Sequence, residues 1–359
     1  SLVRNSGSLS LSPVLLDDHL RVNVNVKGTW ADNKFADTGA IGAALTFDPT
    51  QNVFSDNANY GNYFQYLQAN GTPQQNVPAN PVATLMLRRD RSTVKRSIGN
   101  VQLDYKFHFL PDLHANLNLG YDVTRATGTN TMDSRSTTAY FNNPYYSNAS
   151  NKARGGSASY YSQQSNNKLL EAYLNYTKQL SETSRLELLA GYSYQDFVTT
   201  KPAYRTTLFN DTSTLAPAAL HPFRTQYTII SYFGRANLTL NNRYIFTGTL
   251  RNDASSRFPT TNRNALFPAA SFAWRLKEEA FLKDNTTLSD LKLRLGYGIT
   301  GQQDIVAAAG SDYPYIQRYS QNVPSADYLL GNTYYSPYSP LGYNSNLKWE
   351  QTATYNAGL

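Results

Sequence analysis

His19-Leu-Arg-Val-Asn-Val-Asn-Val-Lys-Gly-Thr-Trp30 alternates without a slip. Leu20, Val22, Val24, Val26 and Trp30 fall on one side of an extended chain, and Arg21, Asn23, Asn25, Lys27 and Thr29 on the other. A period of two defines a β-strand with one dry face and one wet face. The fold turns on what lies against the dry face: a protein core, or the hydrocarbon of a membrane.

The whole chain of 359 residues is 40% hydrophobic and only 16% charged, light on charge for a soluble protein. Asn, Ser, Thr and 28 tyrosines fill the gap, and Tyr suits positions where one end is dry and the other wet. The absence of cysteine excludes disulfides and thiolate chemistry. No apolar run approaches the ~20 residues of a membrane helix, and no signal peptide is recognisable. The net charge of +7 is spread thinly. Its densest cluster, Leu87-Arg-Arg-Asp-Arg91 with Lys95 and Arg96, reads as a solvated loop or a contact to acidic lipid or protein. Without a recognition helix, zinc pattern or RNA-binding motif, nucleic acid is not a predicted partner. Neither the opening Ser-Leu-Val-Arg nor the closing Tyr-Asn-Ala-Gly-Leu carries a cap or stop, so the chain is expected to be a piece of something longer.

Strand-like segments recur at 8–12, 19–30, 97–109, 112–124, 168–178, 185–197, 226–240, 243–252, 265–277, 290–300 and 347–359. With a further strand expected ahead of Ser12, about a dozen pieces result. Most have the ~9–11 residues that cross a bilayer at a tilt. The links Phe109-Leu-Pro-Asp112, Lys178-Gln-Leu-Ser-Glu-Thr-Ser184 and Leu240-Asn-Asn-Arg243 are short, with 277–289 a moderate one. The links 31–96, 125–167, 198–225, 253–264 and 301–346 are long. Strict alternation puts every long loop at one end of an antiparallel meander, which is how outer-membrane barrels are built. Structureless links of this length do not suit a compact soluble domain. The link 31–96 carries its own punctuation, Asp48-Pro49-Thr50, Gly71-Thr72-Pro73 and Val77-Pro-Ala-Asn-Pro81, and is predicted to hold defined turns.

Face assignment separates cleanly. Val101, Leu103, Tyr105, Phe107 and Phe109 continue across a turn into Leu113, Ala115, Leu117, Leu119, Tyr121 and Val123; Leu186, Leu188 and Ala190, and Leu293, Leu295 and Tyr297, behave alike. The opposite faces hold Asp104, Lys106, Asp122, Glu171, Glu187, Arg235, Arg243, Arg251, Arg275, Lys292 and Arg294. A soluble sandwich would need Greek-key crossovers, and this chain offers only hairpins. A meander of this many strands is too wide to fill with its own side chains, so it points its polar face at a lumen and its apolar face at lipid. An outward Arg would cost roughly 2–4 kcal/mol at mid-bilayer. The predicted fold class is therefore all-β: part of a large antiparallel up-and-down transmembrane β-barrel, with no internal domain boundary.

Four segments carry a family resemblance: Ser97-Ile-Gly-Asn-Val-Gln-Leu-Asp-Tyr-Lys-Phe107 running on to Gly120-Tyr-Asp122, Arg251-Asn-Asp-Ala-Ser-Ser-Arg-Phe258 leading to Leu266-Phe-Pro-Ala-Ala-Ser-Phe-Ala-Trp-Arg275, Leu288-Ser-Asp-Leu-Lys-Leu-Arg-Leu-Gly-Tyr-Gly-Ile-Thr-Gly301, and Asn346-Leu-Lys-Trp-Glu-Gln-Thr-Ala-Thr-Tyr-Asn356. Together they resemble the barrel of SusC/RagA-type TonB-dependent outer-membrane transporters, over most of the chain from about Leu9 onward. The resemblance implies a barrel of about 22 strands of which residues 1–359 supply the middle half. It implies a plug domain, a TonB-contacting segment and C-terminal strands that this stretch lacks. It also implies a SusD-like surface lipoprotein partner and TonB-driven import of oligosaccharides or peptides across the outer membrane of a Gram-negative cell. One departure stands out: the family commonly has Asp-Gly-Ser-Ser-Arg-Phe-Gly, and here Ala254 and Pro259 replace the glycines, which challenges the shape of that loop where a positive φ is needed.

Catalytic signals are sparse, and no cofactor or metal is expected. His108 and His114 flank a tight turn and should sit close, which reads as two exposed turn histidines in preference to a metal pair. No Gly-x-Ser-x-Gly, His-Glu-x-x-His or phosphate loop occurs. Asp253 with Ser255 and Ser256 has no histidine on its strand. The lumenal Arg235, Arg243, Arg251, Arg275, Lys292 and Arg294 are candidates to face a plug or steer an anionic solute, or to solvate the wall and pair with its carboxylates. The loop aromatics Phe141, Tyr145, Tyr146, Tyr160, Tyr161, Tyr334, Tyr335 and Tyr338 are the substrate-binding candidates, since sugar rings and peptides both stack on aromatic faces; packing between loops, or on the lipoprotein, is the competing use. The alternatives to import are a passive porin without a plug, a soluble all-β carbohydrate-binding protein, and an outer-membrane hydrolase.

Overall fold

The computed structural model describes residues 1–141, 155–209, 213–219, 222–304, 312–321 and 327–359. Eleven long strands build one sheet in strict sequence order: β1 (Leu2–Leu11), β2 (Leu20–Phe35), β3 (Arg88–Lys106), β4 (Leu113–Met132), β5 (Ser157–Ser181), β6 (Ser184–Lys201), β7 (Phe223–Leu240), β8 (Tyr244–Ser255), β9 (Asn264–Arg275), β10 (Lys292–Gln302) and β11 (Glu350–Gly358). Each pairs antiparallel with its sequence neighbour, and β1 and β11 remain as unpaired edges, so the wall is open. The meander is the one expected. The further strand expected ahead of Ser12 is not separate, because 8–11 form the end of β1.

Continuous registers fix the faces. Leu20 lies opposite Tyr105, Tyr105 opposite Ala115, Ala115 opposite Leu174, Leu174 opposite Ala190, and Ala190 opposite Gly234. That row crosses six strands without a charge. Nothing in the described chain covers it: Leu119, Leu188, Leu250, Leu295 and Tyr232 are all exposed, Leu250 at 51%. A continuous bare apolar face of this extent is unsustainable in water and marks a lipid contact. Among the described residues, no protein core lies against the dry face of residues 20–30. On β4 the apolar outward run from Leu113 to Val123 spans about 33 Å of strand, or roughly 25 Å along the normal at barrel tilt, the height of the outward apolar band of such barrels.

Most strands overrun that band at one end. β5 has 25 residues, about 80 Å of extended chain, and its N-terminal half stands beyond any bilayer. β2, β3 and β4 likewise continue into segments predicted as loop, 31–96 and 125–167, so the basic cluster at Arg88–Arg96 is strand. The short turns are at the opposite end. Leu240-Asn-Asn-Arg243 turns through Asn241 and Asn242, both left-handed (φ 51° and 55°), the geometry a tight hairpin demands. One connection breaks the length rule: 276–291, on the short-turn side, is longer than 256–263 on the other. It is packed by a 3₁₀ turn at Leu276–Glu278 and by Lys277, whose Nζ donates to the carbonyls of Leu282 and Lys283.

The long connection 36–87 holds its expected turns. It contains two short helices, α1 (Gly39–Thr46) and α2 (Pro81–Met86). Asn80 is fully buried at the start of α2; its Oδ1 accepts from Val82 N and Ala83 N, and its Nδ2 donates to Val53 O and Phe64 O. An Arg88–Asp37 ion pair (2.9 Å) closes the connection at its base.

Candidate functional site

The inner face, opposite the apolar rows, carries amides and charges. A side-chain ladder crosses four strands: Asn25 Nδ2 donates to Asn100 Oδ1 (3.3 Å), Asn100 Nδ2 to Asn118 Oδ1 (3.1 Å), and Asn118 Nδ2 to Glu171 Oε2 (3.3 Å). It floors a groove of about 550 Å³ whose rim includes Ser8, Ser10, Asp122, Asn167 and Gln195. Such a surface offers donors and acceptors to hydroxyls or peptide groups, while the charges of Lys27 and Lys168 are balanced by those of Asp122 and Glu171. The face is not uniformly polar. Leu169, Tyr173, Leu189, Phe197, Tyr227 and Phe233 also fall on it by register, an apolar share beyond the polar face expected there.

The six predicted lumenal cations do lie on this face, in differing states. Arg251 is engaged: Nε pairs with Asp253 Oδ1 (2.7 Å), Nη2 donates to Ser231 Oγ (2.8 Å), and the guanidinium stands 5.5 Å from the Phe233 ring. Arg243 pairs with Glu279 (3.0 Å), whose other oxygen accepts from Tyr244 Oη (2.6 Å) and Trp274 Nε1 (2.9 Å). These hydrogen bonds, Tyr244 first, hold the Glu279 carboxyl below the usual carboxylate range. Arg275 donates weakly to Asn242 O (3.4 Å) and sits opposite Lys292 in register. Among the described residues Arg235, Lys292 and Arg294 have no carboxylate partner, so they are the cations free to meet something inside the barrel. Arg185 and Glu187 pair with each other (2.6 Å).

The loop aromatics do not converge. Tyr145 and Tyr146, and the side chain of Phe141, lie outside the described residues. Tyr160 and Tyr161 are adjacent on β5, in the stretch expected to be loop, so they face opposite sides of the wall. Tyr160 packs edge-on against Tyr204 (4.6 Å). Tyr161 turns inward, lies over Gly128, and donates to Asp90 Oδ1 (2.9 Å). Tyr334, Tyr335 and Tyr338 are exposed on small hairpins of the last long connection, where Tyr335 pairs with Tyr328 and Tyr338 with Gln321 in register.

The histidines separate too. His108 stacks on His19 (3.6 Å, 8°) and accepts or donates at Tyr105 Oη (2.9 Å), while His114 pairs with Asp104 (2.8 Å). The expected proximity of His108 and His114 is replaced by these two separate partnerships, because strand alternation sends His114 to the inner face.

Sequence reasoning missed the most elaborate polar centre. Arg257, 5% exposed, follows β8 and reaches Asp304 (3.1 Å) and Asp312 (3.2 Å) while its guanidinium covers the Tyr227 ring at 3.7 Å. Tyr227 in turn stacks on Phe197 (4.7 Å). Ser255 Oγ donates to Gln303 Oε1 (2.6 Å), and Ser256 Oγ accepts from Thr228 N (3.0 Å). Beside them Phe258, Ala265, Phe267 and Trp349 form a small core, locked by Trp349 Nε1 donating to Arg263 O (2.9 Å). Ser255 thus ties the last long connection to the wall and Ser256 ties the following turn to β7, and among the described residues no histidine is bonded to either hydroxyl. Ala254 pairs normally with Ile230 and Asn264 and has no positive φ, so its replacement of glycine is accommodated as plain strand. The motif Ser255-Ser-Arg-Phe258 was visible in sequence; its partners, about fifty positions away, were not.

A second missed feature is a cleft of about 380 Å³ between the 36–87 connection and residues Thr137 and Thr138, walled by Gln65, Tyr66, Gln74 and Asn76. Gln65 Nε2 is buried there without a hydrogen-bond partner.

Comparison with known proteins places this geometry. The family model described as TonB dependent receptor-like, beta-barrel, matches residues 17–359. The chain is 40% identical to TonB-dependent receptor SusC of Bacteroides thetaiotaomicron over 99% of its own length and 35% of that protein's. It is 33% identical to TonB-dependent receptor P3 of Formosa agariphila, over 57% of this chain and 20% of that one. Among solved structures, the RagAB peptide transporter superposes with a TM-score of 0.72 at 20% identity, covering 99% of this chain and 38% of that chain, a likeness of fold. The chain spans about a third of the length of the relatives it matches.

Proposed function

Because the chain belongs to the TonB-dependent receptor-like β-barrel family, we propose that the full-length protein sits in the outer membrane and actively imports oligosaccharides or peptides. In this reading residues 1–359 are wall and outer loops. A plug contributed by the rest of the protein fills the lumen against the inner face, a TonB complex pulls on that plug, and a SusD-like lipoprotein lids the long-loop end. The observation that carries the reading is the pairing of a bare apolar outer face with an inner face of amides and unpaired cations on the same strands. No chemical step is assigned to the chain. Solute is captured by the loops and by the cleft at Gln65, then passes the amide groove once the plug opens. Arg235, Lys292 and Arg294 face the plug.

The amide ladder favours a neutral, hydroxyl- or amide-rich solute over an anionic one, since it offers donors and acceptors without net positive charge. Uptake of labelled maltooligosaccharides and of labelled oligopeptides into cells carrying or lacking the full-length gene tests the proposal. Gene-dependent uptake of either class that stops when the proton gradient is collapsed supports it. Gene-dependent uptake that persists in de-energised cells makes the protein a passive porin. No gene-dependent uptake of either class refutes it.

A further inference from the structure

On the outer face of β2, β3 and β4, just beyond the apolar band on the long-loop side, Lys95 lies directly opposite Arg125, and Lys34 directly opposite Arg91. All four are exposed. Like charges directly opposite across a β-ladder repel and destabilise the pair, and here two such pairs stand four residues apart along β3, about 13 Å. Among the described residues none of the four has a salt-bridge partner. The inner-face cations of the same strand behave oppositely: Arg88 pairs with Asp37 (2.9 Å) and Arg96 with Asp122 (2.6 Å). One outward carboxylate lies between the two rows, Asp32; its Oδ1 accepts from Thr93 Oγ1 (2.6 Å) and Trp30 Nε1 (3.2 Å), and its charge offsets part of that of Lys95. Four cations against this one carboxylate leave the outer patch with a net positive charge.

Its height is set by aromatic rings. Lys95 Nζ stands over the Trp30 ring at 4.4 Å, and Tyr121, in the upper end of the band, lies across Gly99 with its hydroxyl bonded to Ser97 Oγ (3.0 Å). Trp and Tyr concentrate at the headgroup level of a bilayer. Below them on the same strands the outward residues are Val24, Val101 and Leu119. The four cations thus project where lipid phosphates lie. We propose that this patch binds a phosphorylated lipid headgroup of the membrane's outer leaflet, the lower pair Lys95 and Arg125 and the upper pair Lys34 and Arg91 each engaging anionic groups. An acidic protein surface is the other class of anion that could meet these charges. Lipid is favoured because the patch continues the lipid-facing rows, outside the wall and away from the inner groove.

The inference rests on the outer-membrane reading above, and its test is separable from it. Full-length protein is purified in mild detergent and mixed with bisphosphorylated lipid A or with its phosphate-free counterpart. Retention is counted by native mass spectrometry for the parent, for K34Q/R91Q/K95Q/R125Q, and for the control K178Q/R185Q at the other rim. Resistance of the folded barrel to unfolding in cold detergent confirms that each variant is intact. The expected result is retention of the bisphosphorylated lipid lowered about tenfold or more in the quadruple variant only, with phosphate-free lipid unaffected. Equal retention by all three proteins overturns the proposal. So does loss of lipoprotein capture with lipid retention unchanged, which makes the patch a protein contact, or equal loss of both lipids, which makes it an acyl-chain effect. Failure of the transport reading would instead be seen in the uptake assay.

Discussion

Replacing Arg257 by Met should free the last long connection while leaving the wall intact. The guanidinium, 5% exposed, bridges two carboxylates and caps a two-ring stack. The carboxylates contribute unequally. Asp312 has a side chain 10% exposed, and removing the partner of a buried charge costs about 3 kcal/mol or more. Asp304 is 67% exposed, so its pair is worth well under ~1 kcal/mol. The guanidinium over Tyr227 adds about 1 kcal/mol. The sum, roughly 4 kcal/mol, weakens docking of the described residues 312–321 and 327–349 on the wall, because Asp312 escapes its penalty by leaving the site and rehydrating. At 1.4 kcal/mol per factor of ten, the undocked population rises between a hundredfold and a thousandfold. Hydrogen exchange of the full-length protein reads this directly: Ile316, Leu341 and Leu347, whose amides are bonded within that segment, should lose protection, and the β4–β7 ladder should not. Asp312→Asn should give a smaller loss, and Asp304→Asn almost none. Unchanged protection of 312–321 and 327–349, or equal loss over the whole wall, would refute the assignment of Arg257 as the pin.

Three further outcomes are expected. Leu119→Arg, on the bare outer face, should destabilise the folded barrel by about 2–4 kcal/mol, measured by denaturant unfolding in lipid vesicles, whereas Asn118→Arg on the inner face should cost far less. Asn80→Ala removes a buried helix cap with four hydrogen bonds, so the 36–87 connection should lose at least about 1–2 kcal/mol and become the first site of protease cleavage. Because the Glu279 carboxyl is held below its ordinary value of 4.5 by Tyr244 and Trp274, its contribution is complete above 4.5 and lost as pH falls through its lower folded value. Acid unfolding of Glu279→Gln should therefore lack that part of the pH dependence, with the two proteins converging as pH drops.

The strand order and the two faces were legible in the residues because alternation is strong wherever one face meets lipid: residues 20–30 and 112–124 needed nothing more. Strand ends were illegible for the converse reason. Arg88-Arg-Asp-Arg-Ser-Thr-Val-Lys95 is wet on both faces, so no alternation survives, yet its backbone continues the ladder with β2 and β4. The same blindness made Tyr160 and Tyr161 look like one loop site when a strand sends them to opposite sides. The resemblance in Ser255-Ser-Arg-Phe258 marked a special turn, but nothing local names Asp304 and Asp312 as the partners of Arg257. The amide ladder was written in Asn25, Asn100, Asn118 and Glu171, and only the register brings those four into line.

The orientation of the wall is tested most directly by nitroxides placed one at a time at Val24, Leu117 and Leu188, and at the adjacent Asn25 and Asn118, in the full-length protein reconstituted into vesicles. Collision with lipid-soluble oxygen should dominate at the first three positions, and collision with a water-soluble nickel chelate at the other two. Chelate access at Val24, Leu117 and Leu188, or shielding of those three from both reagents, would contradict a sheet that holds its dry face against acyl chains.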